Sequence, residues 1–581
     1  LDRLKKFFFV AVLLLSCKQI LFAQNNISQN ELNEIDKNLN EAIFINTNSN
    51  SFLTGETLLY KISCVNKTTN MPSKYSKVAY FDIVDSERKT VVSQKIFLEN
   101  GNGSGDFFIP TTLETGTYKI IGYTRWMLNK NIESFFTTDL FIINPYQEKA
   151  TSLETTATSA SYEPLRDNNI SFDLKSKNFS TRNPVEVQIN TNSDDYRKGN
   201  YTISVRKTDG FASQNKLSYT EYKSDNSKTD LENNFISNQN FLLPELRGEI
   251  ITGRIKSASD VKNKKVALSI VGKNYAFKIV KTDEQGRFSF NLEAANSNKN
   301  IVIQILEENK ENYITEIEID KPKEKDLSKL NFSAIKLHSE SNRNIVERLV
   351  SSQIENAYYN KKRDSLLAPN TPVPFYGATA KEYRFDDFTR FPTMEETITE
   401  IITGVVFRKD NGKYRILIYD FDKNYESPLP PLIVVDGLIL EDLNDFFKYN
   451  PKNLDKVNVI KGPYYYGAKS YNGLLCFATK KGDYETTSNS GLIIKPEILR
   501  PTDKKEYFNP KYPNSADSRI PDYRHQLLWS SNPDLSRKDV PIQFYTSDVS
   551  GKFEITLEGF SATGAPVYIK DYIDVSDNAT N

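Results

Sequence analysis

The residues of this chain that could do chemistry are few and scattered. Its two histidines, His338 and His525, are far apart, and neither lies in an HExxH or related metal-ligating spacing. Each is expected as a surface or capping residue. The cysteines are Cys17, Cys64 and Cys476, and neither of the last two has a histidine close in sequence to draw off its proton. Two carboxylate pairs, Asp386-Asp387 and Glu395-Glu396, are poorly placed for acid–base work. Adjacent side chains diverge on a helix and point to opposite faces of a strand, so solvated surface is the better reading. No GxSxG elbow, P-loop or Gly-rich dinucleotide fingerprint occurs. The expectation is a protein that is not an enzyme, with no catalytic residue, metal ligand or cofactor.

Binding residues are easier to name. Tyr464, Tyr465 and Tyr466 sit beside Gly462-Pro463 and before Gly467, which reads as a turn offering aromatic faces to a sugar or a partner protein. The alternative is that one or two of them pack beneath that turn. Arg125 and Trp126 come after a long strand-like run, and both residue types are enriched at interface hot spots, although core packing is the alternative for tryptophan.

The rest of the chain must position these groups. At 581 residues it has length for several domains, and 75 Lys+Arg against 75 Asp+Glu gives no overall field to attract nucleic acid or anionic lipid. With 32 Tyr and 35 Phe against 3 Met and 2 His, the composition favours strands. The reading is mainly β: tandem β-sandwich domains plus one small α/β domain, with no transmembrane barrel.

Residues 1–23 read as a signal peptide, with Arg3, Lys5 and Lys6 before the apolar run Phe7 to Leu15. Cleavage after Ala23 is preferred. Leu14-Leu15-Ser16-Cys17 offers the alternative of lipoprotein processing with acylation at Cys17. Residues 24–40 form a polar leader with room for one short helix at Leu32, Ile35 and Leu39. Residues 41–146 read as a β-sandwich, in which Tyr118, Ile120 and Gly122 alternate behind the Gly116 turn. Residues 147–240 read as a second sandwich with a long loop, and 241–322 as a third, where Phe288, Phe290 and Leu292 alternate behind Gln285-Gly286. A connector over 323–375 carries a helical stripe from Ile345 to Ala357 after Ser341, expected to couple the sandwiches to an α/β domain.

Residues 376–483 read as that α/β domain. Asp410-Asn411-Gly412 predicts a hairpin, and Thr393 a helix start. Leu432–Val435, Val457–Ile460 and Leu474–Thr479 read as buried strands, with a helix over Leu440 to Tyr449 between the first two. A linker over 484–530 and strands over 531–581 complete the reading. The strands carry a clean alternation at Phe553, Ile555 and Leu557, and are expected to complete or extend an earlier sandwich.

These residues carry three resemblances. VVDG, VNVIKGP with YYYG, and NGLLCFATKKG resemble the plug domain of TonB-dependent outer-membrane receptors, most of all glycan-uptake receptors. FLTGE, GDFFIP and TGTYKIIGYTRWM resemble a macroglobulin-type sandwich of bacterial envelope proteins, without the CGEQ cluster of thioester traps. The 241–322 region resembles the carboxypeptidase regulatory sandwich. A receptor barrel takes 22 strands of about ten residues, whereas 98 residues come after Asp483, so the resemblance implies a plug fold without transport. As a whole the chain resembles barrel-less envelope proteins of Gram-negative bacteria.

The resemblance implies an exported protein associated with the outer membrane, on its periplasmic or its cell-surface face. Its leading role would be a non-enzymatic scaffold or accessory subunit of an outer-membrane protein complex, for assembly, secretion or nutrient import. Partners would be that complex or a receptor barrel and not nucleic acid, with membrane association through them or through a lipid on Cys17. A glycan- or peptide-binding module feeding a TonB-dependent receptor, and an envelope protease inhibitor without thioester, are the alternatives.

Overall fold

A computed structural model describes residues 29–147, 154–156, 162–208, 216–226, 241–257, 260–307, 314–333, 336–338, 341–367, 374–419, 429–486, 492–512, 519–536 and 541–577. Cys17 and the candidate signal segment lie outside them. The chain is mainly β and divides into two compact units. One comprises residues 1–246, 323–367 and 502–581, the other 247–322 and 368–501. No helix among the described residues is long and apolar enough to cross a membrane.

The first unit holds two sandwiches. In the first, Glu41–Thr47, Thr57–Asn66 and Asn102–Phe108 make a three-stranded antiparallel sheet. Facing it is a five-stranded sheet in the order Ser51–Leu53, Phe136–Ile143, Gly116–Tyr123, Val78–Val84, Thr90–Phe97. Glu41–Thr47 is buried along its whole length and Thr57–Asn66 nearly so, which a sheet with one solvated face would not allow. Their inner face packs on the five-stranded sheet. Their outer face meets the second sandwich and the helix Tyr219–Asn226, whose Tyr219 ring stands 5.1 Å from Phe44 and 5.2 Å from Phe560.

The second sandwich is assembled from two distant stretches. Ile170–Leu174, Asn178–Ser180, Pro184–Thr191 and Asn200–Lys207 come from one, and Gln526–Ser530, Ile542–Tyr545, Gly551–Phe560 and Pro566–Ser576 from the other. Both sheets mix them, in the orders Ile170–Leu174, Pro184–Thr191, Ile542–Tyr545 and Asn178–Ser180, Pro566–Ser576, Gly551–Phe560, Asn200–Lys207, Gln526–Ser530. Gln526–Ser530 falls within the span expected as a linker. Phe553, Ile555 and Leu557 are fully buried, as their alternation predicts. Glu558 on the opposite face is buried too, because the first sandwich covers it.

The leader helix Gln29–Leu39 is tied down: Trp126 Nε1 donates to Asp36 at 2.9 Å, Lys130 pairs with the same carboxylate, and Leu39 packs on Trp126. The helix Ser341–Ala357 lies in the first unit, held by both sandwiches. Ile345 and Leu349 pack on Leu53, Phe141 and Ile143, but Val346 and Val350 are 60% and 46% exposed. The buried position of its stripe is taken by Arg348, which donates to both Glu56 oxygens at 2.9 and 2.5 Å and to the Ser51 carbonyl at 3.0 Å. Burial alone would push the Glu56 carboxyl up, but Arg348 and Arg206 outweigh it and hold it below the ordinary carboxylate range. On the next faces Lys207 pairs with Glu347, and His525 Nε2 lies 3.2 Å from Ser351 Oγ.

The second unit holds the third sandwich and the α/β module. The sandwich sheets run Arg287–Leu292, Glu249–Ser257, Ile314–Ile319 and Ala276–Lys281, Lys265–Ile270, Ile301–Ile305, Ile493–Ile494. The module is a five-stranded sheet ordered Lys381–Arg384, Leu454–Tyr466, Lys469–Thr479, Leu432–Val435, Leu438–Ile439, with Lys469–Thr479 and Leu432–Val435 parallel. Helices Met394–Ile401 and Asn444–Lys448 and the hairpin Val405–Asp410/Lys413–Ile418 cover one face. The hairpin turns through Asn411 and Gly412, both at positive φ, as its sequence predicts. Thr393 caps the first helix by accepting from the Glu396 amide. The second helix is one turn long, shorter than its spacing suggested, with Leu443 at its cap.

Replacing Glu56 with Gln leaves the Arg348 guanidinium buried without its carboxylate, and the expected loss is about 3–5 kcal/mol. Val346→Ala on the same helix is expected to cost under about 0.5 kcal/mol. Urea unfolding of the two variants checks the contrast.

Candidate functional site

The motif-rich stretch of the α/β module is built around Asp436. This residue sits at φ +48 between the strands Leu432–Val435 and Leu438–Ile439, a left-handed position that Asp tolerates and most residues do not. Its carboxylate accepts from the Thr479 amide at 2.8 Å, the Thr479 hydroxyl at 2.6 Å and the Tyr484 amide at 3.1 Å. Its own carbonyl accepts from the Gly272 amide of the third sandwich at 3.0 Å. The aspartate of VVDG and the threonine before the two lysines are thus two halves of one buried lock.

Two motif glycines serve the same contact with the third sandwich. A Cβ on Gly467 (φ +58) would lie 2.8 Å from the Ile279 carbonyl oxygen, and one on Gly482 (φ +70) 2.6 Å from the Lys273 amide nitrogen. Around them, Leu432, Val434, Ile439, Tyr471, Leu474 and Cys476 form one core with Ala267, Phe277, Ile279 and Leu306. Gln304 Nε2 donates across to the Ile439 carbonyl at 2.7 Å. The sheet of the module is therefore covered on both faces.

The tyrosine triplet does not form a turn. The strand expected to stop at Gly462-Pro463 passes through a bulge there and continues to Tyr466, pairing Tyr464 with Tyr471, Tyr465 with Ser470 and Tyr466 with Lys469. Period-2 alternation then puts Tyr464 and Tyr466 on one face and Tyr465 on the other. Tyr466 donates to the Phe277 carbonyl at 2.7 Å and packs 4.6 Å from the Phe277 ring and 5.3 Å from Phe375. Burial pushes its phenol up to about 12. Tyr464 is half-buried beside it, whereas Tyr465 points outward and is 75% exposed. Of the three, Tyr465 alone is exposed.

Arg125 and Trp126 lie apart from this stretch, in the first unit. Trp126 is 2% exposed and holds the leader helix, so it is a packing residue and not a contact surface. Arg125 beside it is half-buried, and its Nε has no hydrogen-bond partner among the described atoms. His525 is not at the surface: burial, then the charges of Arg348 and Arg206, push its imidazole down to about 3, so it is neutral at physiological pH. His338 ends the strand Lys336–His338. Asp386 pairs with Arg390 and Lys480 at the surface, and Glu395 accepts from the Tyr414 hydroxyl at 2.7 Å. Cys64 and Cys476 are buried free thiols. Burial pushes Cys476 up to about 11, and the Tyr275 hydroxyl lies 3.2 Å from its sulfur. Among the described residues, no three His, Cys, Asp or Glu side chains are grouped to hold a metal.

No protein-family model and no curated protein matches this chain. Among solved structures it is similar to the trypsin-activated alpha-2-macroglobulin of Escherichia coli, over 93% of this chain and 24% of that one, at 10% identity and a TM-score of 0.16. The elastase-activated Escherichia coli protein aligns over 92% and 44%, at 8% identity and a TM-score of 0.21. A Salmonella alpha-2-macroglobulin reacted with methylamine aligns over 92% and 23%, at 8% identity and a TM-score of 0.15. The chain spans under half the length of these proteins.

Asp436→Ala removes the acceptor for two buried amides and a buried hydroxyl and places alanine in the left-handed region. The expected loss is about 3–5 kcal/mol, with a smaller loss for Asp436→Asn, which keeps one acceptor and tolerates that backbone. Tyr465→Ser is expected to shift stability by under about 0.5 kcal/mol. Thermal unfolding followed by circular dichroism checks the order.

Proposed function

We propose that this protein is a non-enzymatic scaffold of a cell-envelope protein complex, acting by docking other proteins. The observation that carries the reading is how the α/β module spends its motif. Asp436, Gly467 and Gly482 are engaged in holding a β-sandwich of the same chain against the sheet. A module resembling a receptor plug is here one face of a two-domain block. Two sandwiches packed together, a third packed on a module with both sheet faces covered, and helices used as fasteners make bodies suited to presenting surfaces to other proteins. The outer membrane, with a receptor barrel or an assembly, secretion or import complex as partner, is the site this reading favours.

A second reading takes the protein as a glycan- or peptide-binding module. Tyr465 favours it, since a tyrosine three-quarters exposed at the end of a long hairpin offers a ring face for stacking.

Crosslinking in cells that produce the protein, followed by purification in mild detergent, is expected to recover it with a defined set of envelope partners. Recovery as a free monomer alone would overturn the scaffold. Glycan-array binding lost in Tyr465→Ala would establish the second reading in its place.

A further inference from the structure

The joint between the first two sandwiches holds a buried amine whose bonding suits only one of its protonation states. Lys61 lies on the strand Thr57–Asn66, on the face turned toward the second sandwich, and is 4% exposed. Its Nζ donates to the Asn200 side-chain oxygen and, at 2.8 Å, to the Tyr201 carbonyl. Both acceptors are neutral and both belong to the strand Asn200–Lys207 across the joint. A neutral amine has two N–H donors and matches this pair, whereas an ammonium carries a third. Among the described residues no carboxylate lies within ion-pair reach of Lys61.

The groups around it are otherwise committed. Asn46, its cross-strand partner, donates to Glu558 Oε2 at 2.8 Å and accepts from Lys216 at 2.6 Å. Glu558, on Gly551–Phe560, also pairs with Lys216 at 3.1 Å and accepts from the Tyr219 amide at 2.8 Å. Ser104 is opposite on the other neighbouring strand. Asp195, beyond Tyr201, accepts from the Thr563 amide and hydroxyl at 2.8 and 2.9 Å. Farther along the joint, Glu56 is shared by Arg348 and Arg206, and Glu347 is paired with Lys207 beside His525.

We propose that opening of the joint between the first two sandwiches is coupled to the uptake of one proton by Lys61. Closed, the amine is neutral and joins the two sheets. Open, it is hydrated and takes up a proton from water. Burial accounts for this, depressing the amine from 10.5 to about 7 in the closed form. Between about 10 and about 7 the open form therefore binds the extra proton, so lowering the pH favours opening, by up to about tenfold per unit. Below about 7 the closed joint is protonated as well, and the dependence levels off.

Hydrogen exchange on the full chain between pH 7 and 9, corrected for intrinsic amide rates, tests this. Amides of 42–47, 58–63 and 200–205 are expected to lose protection several-fold to tenfold per unit as pH falls, while those of the third sandwich do not. Lys61→Met is expected to abolish the slope. Asn200→Asp supplies a carboxylate that holds the amine charged in the closed joint, and is expected to abolish it independently, including where Lys61→Met fails to fold. A flat wild-type profile, or a slope that survives either substitution, would overturn the proposal.

Discussion

The pairing of Asn200–Lys207 with Gly551–Phe560 is the constraint on which the first unit depends. It joins residues far apart in the chain, from Lys207 opposite Phe553 to Asn200 opposite Phe560, and just past the strand the Thr208 amide donates to the Lys552 carbonyl, 344 residues on. The second sandwich has no core without it, because Val185, Ile203 and Val205 bury against Phe553, Ile555 and Leu557 from the far stretch. Loop-closure entropy grows only as the logarithm of length, by about 0.6 kcal/mol per doubling. An insertion of this size is thermodynamically tolerable once eight strands close around one core.

That closure creates a second problem, met with polar groups. The outer face of Glu41–Thr47 and Thr57–Asn66 is covered by another sheet, yet it carries Asn46, Lys61 and Ser63. The joint is therefore bonded residue by residue: Asn46 to Glu558, Asn48 to Gln526, Lys61 to the Tyr201 carbonyl. Apolar surfaces would adhere in many registers. Directional bonds between committed donors and acceptors admit one.

Local chemistry was legible in the sequence, and long-range pairing was not. Asn411-Gly412 turns where it should because only residues tolerant of positive φ allow a two-residue hairpin to close. Phe553, Ile555 and Leu557 alternate because one face of their strand is core. Nothing in that alternation names the partner strand Asn200–Lys207, far back in the chain. The tyrosine triplet misled because Gly462-Pro463 resembles a stop, yet a bulge accommodates both residues within the ladder. The Ser341–Ala357 stripe misled in another way. Its apolar Val346 and Val350 are exposed, while Arg348 is buried, since Glu56 on the first sandwich supplies the charge that makes burying arginine tolerable. In the α/β module, Gly467 and Gly482 are placed against Ile279 and Lys273 of the third sandwich, a neighbour that spacing alone does not reveal.

Sharing one sandwich between two distant stretches also gives the chain a checkpoint in time. While synthesis has delivered residues only as far as 520, Ile170–Leu174, Pro184–Thr191 and Asn200–Lys207 lack the strands that cover their apolar faces. Such a half-built sandwich is a target for proteases and holdase chaperones, and it disappears only when the last long strand, Pro566–Ser576, zips onto Gly551–Phe560. A copy lacking Gly551–Phe560 thus leaves Ile203 and Val205 uncovered, whereas pairing of that strand buries them.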